Sequence, residues 1–98
     1  MTANADSHAR LLNELNEERA AALARISRTL ESLIDLARDS RRRLDTLEGA
    51  ARDAETAHYR DLRERAKTYR WYLEVQREAI GLRQHQLIDQ FYEIPGPL

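Results

Sequence analysis

Apolar residues return every three or four positions from about Ser7 to Leu47, and again from about Asp53 to Tyr92. Leu12, Leu23, Ile26, Leu30, Leu33, Ala37, Leu44 and Leu47 share one seam of the first segment. Asn16, Arg19 and Ser40 interrupt that seam, and Ile34 and Leu36 flank it. The second segment carries Leu62, Ala66, Tyr69, Leu73, Ile80, Leu87 and Phe91, with Gln76 and Arg83 among them. Such spacing keeps side chains on one side of an α-helix, because each residue turns the face by about 100°. Sustained over this length, it predicts two coiled-coil-like helices, each with a seam to bury.

Gly49 lies between the two segments, at the midpoint of the 98-residue chain. Glycine enters the left-handed backbone conformation that ends a helix more cheaply than other residues. A turn near residues 48–52 is therefore expected, with Asp53 able to cap the second helix and Asp6 or Ser7 the first. The alternative is a helix running through Gly49 at a cost of about 1 kcal/mol. Folding at the midpoint opposes residues whose numbers add to about 99, so Leu30 meets Tyr69, Ile26 meets Leu73 and Leu12 meets Leu87. The expected fold class is all-α: a long antiparallel helical hairpin over residues 7–92, between a frayed leader (1–6) and a proline-containing tail (93–98). Gly81 can break the second helix, but no Ser, Thr, Asp or Asn follows it to cap a new start. A continuous helix with a weak point is the preferred reading.

Composition narrows the function. Charged residues make up 34% of the chain and nearly cancel, leaving a net charge of -1, so no bulk charge points to nucleic acid or an anionic membrane. Without Cys there is no thiolate chemistry and no disulfide. No apolar run approaches the ~20 residues of a membrane span. The opening MTANADSHAR has no apolar stretch of the kind a secretory signal needs. The expected compartment is the cytoplasm.

The stretch TYRWYLEVQREAIGL, residues 68–82, is apolar on more of its circumference than one partner helix covers. Leu73, Ile80, Leu87 and Phe91 point near the direction of Tyr69. Tyr72, Val75, Ala79 and Leu82 form a second stripe rotated the other way, and Trp71 lies beyond it. That stripe is expected to contact another chain, most simply a second copy in a four-helix bundle. The alternative is that the arc is covered within the monomer, by the tail or by a folded-back third helix. The expected partner-binding residues are Trp71, Tyr72, Val75, Ala79, Leu82, Phe91, Tyr92 and Ile94.

Other constellations carry weaker signals. Arg38, Arg41, Arg42 and Arg43, with Arg60 and Arg63 on the other arm, form a basic collar near the turn. Nucleic acid or an acidic protein is the runner-up partner there, although Asp35, Asp39, Asp45, Asp61 and Glu64 are interleaved. Glu55 and His58 have the Glu-x-x-His spacing of carboxylate-bridged metal bundles, but the facing stretch DSRRRLD would repel a cation. His85 and Asp89 read as a solvated pair on the polar side, and His8 falls in the leader. No nucleophile–base–acid set and no glycine-rich phosphate loop are present. No enzyme activity, cofactor or small-molecule substrate is expected. In size and plan the hairpin is similar to the small secreted hairpins with a Trp-x-Gly turn. Here the turn reads Leu47-Glu48-Gly49, Trp71 lies elsewhere and no Tyr-x-x-x-Asp/Glu export signal follows, so the family is not assigned.

Overall fold

A computed structural model describes residues 2–98, with side chains from Asn4 onward. Helix α1 spans Thr2–Leu44, α2 spans Gly49–Ala79 and α3 spans Gln86–Phe91. No strand occurs among the described residues. The two long helices pack against each other as an antiparallel hairpin, in the register their seams imply. Arg43 bonds Glu55 and Arg41 bonds Tyr59, so facing residue numbers add to about 99.

The turn lies a few residues earlier than expected. α1 ends at Leu44, and residues 45–48 connect it to α2. The amides of Asp45, Thr46 and Leu47 donate to the carbonyls of Arg42, Arg43 and Leu44. The Thr46 hydroxyl also donates to the Arg43 carbonyl at 2.9 Å, and the Arg52 guanidinium donates to that of Leu44. The last carbonyls of α1 are thereby satisfied without a glycine at its C-terminus. Gly49 does adopt a left-handed backbone, φ +60, but as the first residue of α2. Glu48 holds the N-cap position without a side-chain bond, and Asp53 lies inside the helix. At the other end α1 already includes Thr2, so Asp6 and Ser7 are helical residues rather than caps. Of the expected leader, only Met1 lies outside the described residues.

Gly81 breaks the second helix, which corrects the expectation of a continuous one. Its backbone is left-handed at φ +89. The Gly81 amide donates to the Glu78 carbonyl at 3.0 Å and the Leu82 amide to that of Arg77 at 2.9 Å. These two bonds form a Schellman motif, which closes a helix without any help from a downstream cap. Residues 80–85 reverse the chain, and the segment 86–98 returns along α2 toward the turn.

The core is small and lies on the turn side. Leu30, Leu33, Ile34 and Ala37 of α1 meet Tyr59, Leu62, Ala66 and Leu73 of α2, and Ile88 of α3 completes the cluster. α1 has 43 residues and α2 has 31. At 1.5 Å per residue α1 is longer by about 18 Å, and residues 4–21 are all exposed. The molecule is a rod of 73 × 22 × 14 Å with a radius of gyration of 19.2 Å, against about 13 Å for a compact chain of this length.

Candidate functional site

Two regions carry most of the unusual side chains: a groove on one flank of α2 that holds the returning tail, and the open end of the hairpin. Tyr59, Arg63, Ala66 and Arg70 recur at three- and four-residue spacing, so they share one flank of α2. The tail lies against this flank. Arg70 bonds the Asp89 carboxylate and the Tyr92 carbonyl. Arg63 donates to the Pro95 carbonyl at 3.0 Å. The Tyr59 hydroxyl donates to the Gly96 carbonyl at 2.5 Å, and Arg41 donates to that same carbonyl at 2.8 Å and to the Tyr59 hydroxyl at 3.1 Å. The Arg41 guanidinium also lies 5.7 Å from the centroid of the Tyr59 ring, within cation–π reach. Beneath these polar contacts Ile88 is buried, and Tyr92 and Ile94 pack half-buried against the core.

The expected collar is therefore largely engaged inside the chain. Arg41 and Arg63 hold tail carbonyls. Arg38 lies 4.0 Å from Asp35, Arg42 pairs with Asp39 and Arg43 lies 3.0 Å from Glu55. Arg60 lines an open hollow of about 310 Å³ with Tyr59, Arg63, Glu64, Pro97 and Leu98. Fewer free guanidinium groups are left for phosphates than the sequence implies.

The second stripe of α2 sits on the flank opposite the tail groove, so the tail does not cover it. Tyr72, Val75 and Ala79 are exposed there. Trp71 is 59% exposed and stacks obliquely on Tyr72, with ring centroids 5.6 Å apart. Tyr72 in turn meets the edge of Tyr69 at 5.4 Å. Leu82 and Phe91 are exposed as well, whereas Tyr92 and Ile94 are held by the chain's own core. On α1 the open end exposes Leu11, Leu12 and Leu15. Tyr59 and Ile88, which organise the tail groove, do not stand out in the sequence.

The Glu55 carboxylate is held below the ordinary carboxylate range. The buried Ser40 hydroxyl beside it is the largest cause, followed by the hydrogen bond and positive charge of Arg43, while loss of solvent opposes them. Ser40 comes close without reaching hydrogen-bond geometry. A lowered carboxyl pKa means stability that is complete above the ordinary value of 4.5 and lost as pH falls through the folded value. The thermal midpoint of the parent should therefore fall more steeply below pH 4.5 than that of Glu55→Gln. Parallel curves would remove Glu55 from the acid response. The arginine beside Glu55 also works against a cation there, and no three His, Asp or Glu side chains converge on one point among the described residues. His85 bonds Glu78 at 2.8 Å, and Asp89 pairs with Arg70, so the two do not form a pair of their own.

No protein family, curated protein or solved structure matches this chain. The fold and its surfaces define the class: an all-α hairpin whose long arm overhangs, with no helix among the described residues long and apolar enough to cross a membrane.

Proposed function

We propose that the chain is a small non-enzymatic helical module that works through protein contacts, as an adaptor, chaperone-like or structural subunit. The contact face is the open end of the hairpin. One observation carries this reading: large apolar side chains lie uncovered in two groups, Leu11, Leu12 and Leu15 on the overhanging arm of α1 and Trp71, Tyr72 and Val75 toward the end of α2. Clustered apolar exposure of this kind marks contact surfaces. A rod with so small a core also gains most from burying more surface. The simplest partner is a second copy, seated on the Tyr72 stripe to make a four-helix bundle.

Light scattering behind a sizing column, over a range of concentrations, tests this. The parent should run as a dimer. Tyr72→Asp should weaken the dimer at least thirtyfold, since each buried unsatisfied polar group costs roughly 1–3 kcal/mol and two copies carry one each. Glu74→Ala should leave the mass unchanged. Equal masses for parent and both variants would remove the stripe from self-association.

A further inference from the structure

The second seam does not stop where α2 stops. Tyr69, Leu73, Ile80, Leu87 and Phe91 keep one helical register straight through Gly81. In the folded-back structure the far end of that seam faces solvent: Ile80, Leu87 and Phe91 are all exposed, Phe91 at 67%. So are Leu11, Leu12 and Leu15, the residues of α1 that a straight second helix would meet in the hairpin's register. Two matching apolar surfaces thus lie apart because one glycine reverses the chain.

The reversal is lightly built. Residues 80–84 are exposed, and a hollow of about 440 Å³ lies among Arg77, Gly81, Leu82, Arg83, Gln84, Gln86 and Leu87. Polar ties across it are an Arg77 bond to the Gln84 carbonyl at 3.2 Å and the His85–Glu78 contact. No atom would clash with a side chain at position 81, and only the backbone angle there favours glycine. The folded-back seat, in contrast, is well made, with Ile88 buried and three tail carbonyls held by Arg41, Tyr59, Arg63 and Arg70.

We propose that residues 80–98 form a two-position segment. In one position the segment fills the groove of Tyr59, Arg63 and Arg70. In the other, Gly81 joins the helix, α2 runs straight to Phe91, and the turn of helix around Leu87 covers Leu11, Leu12 and Leu15 of the α1 arm. The movement exchanges one surface for another. Folding back exposes the leucines of the α1 arm; straightening hides them and empties the groove. The empty groove then presents three guanidinium groups and a phenol hydroxyl to the carbonyls of an extended, proline-bearing peptide, the chemistry of the chain's own tail. Control of partner binding by this exchange rests on the open end being the contact face; the movement itself does not.

The chain has no Cys, so His8→Cys and Gln90→Cys give a unique pair for spin labels. Folded back, position 90 lies beside Arg70, opposite about residue 29 of α1 and roughly 30 Å along the axis from position 8. In the straight helix the two sites are neighbours, about 10 Å apart. The parent should show mainly the long distance. Gly81→Ala, which opposes the left-handed turn and favours the helix, should shift the population to the short one. Arg41→Ala with Arg63→Ala, which loosens the other seat, should shift it the same way. The short distance must survive dilution with unlabelled chain. Long distances in all variants, or short ones abolished by dilution, would overturn the movement. A free FYEIPGPL peptide should bind the Gly81→Ala chain more tightly than the parent by tenfold or more; equal affinity would overturn the exchangeable groove. Because each readout is independent of self-association, failure here is distinct from failure of the Tyr72 experiment.

Discussion

Tyr59→Ala should abolish cooperative folding at 25 °C, while Tyr59→Phe should leave it in place. Tyr59 is fully buried and belongs to the one core cluster, and its hydroxyl links Arg41 on α1 to the Gly96 carbonyl of the tail. Truncating a buried aromatic ring costs about 3–5 kcal/mol. Leaving the partners of its hydroxyl unmatched adds to that. Small domains have only about 5–15 kcal/mol in total, and a rod with nine side chains in its core belongs at the low end. Tyr59→Phe keeps the ring and loses only the hydroxyl, worth about 1 kcal/mol. Far-ultraviolet circular dichroism during urea unfolding separates the cases. An unchanged urea midpoint for Tyr59→Ala would mean that the hairpin is held elsewhere, along the long seam.

Ile88→Asp should free the returning segment without melting the hairpin. Ile88 is 1% exposed and is the only α3 residue in the core. A carboxylate is costly to bury in that place, and loss of the buried side chain alone is worth about 2–5 kcal/mol. The tail is joined to α2 through an exposed reversal, so it can leave while α1 and α2 stay packed. Chymotryptic cleavage at Phe91 and Tyr92 should accelerate by at least about thirtyfold, as the population of the opened segment rises. Total helix should fall by no more than α3 contributes. The adjacent Leu87→Asp is the control: Leu87 is exposed in the folded-back chain, so its replacement should not accelerate cleavage. Equal rates for both variants would mean that Ile88 does not anchor the tail.

The hairpin and its register are legible in the sequence because both arms keep one spacing and Gly49 sits midway between them. The position of the turn is less so. Leu47 continues the spacing after the helix has ended, and nothing in the pattern foretells that Thr46 and Arg52 satisfy the last carbonyls of α1. Gly81 is harder still. The seam continues through it to Leu87 and Phe91, and the Schellman bonds that end α2 are purely backbone. The returning segment buries Ile88, a position off that seam, because its path is set by contacts with residues far along the chain. One signal for the tail groove does exist. Tyr59, Arg63, Ala66 and Arg70 repeat at helical spacing on a flank of their own, and the segment around Pro95 and Pro97 offers carbonyls more freely than amides. Read separately, the arginines suggest an external anion. Read against the tail, they match its carbonyl groups.

The order in which these contacts can form also follows from their separations along the chain. The bonds that close the hairpin near its turn join residues 8 to 18 positions apart, such as Arg52 with Leu44 and Arg41 with Tyr59. The bonds that hold Gly96 span 37 and 55 positions. Closing the longer loops costs more entropy, and the Arg41 bond to Gly96 is possible only once α1 and α2 have met. The hairpin is therefore the template and the tail its latch. The latch can lift and reseat on a standing hairpin, but it cannot fasten to both helices before the hairpin forms.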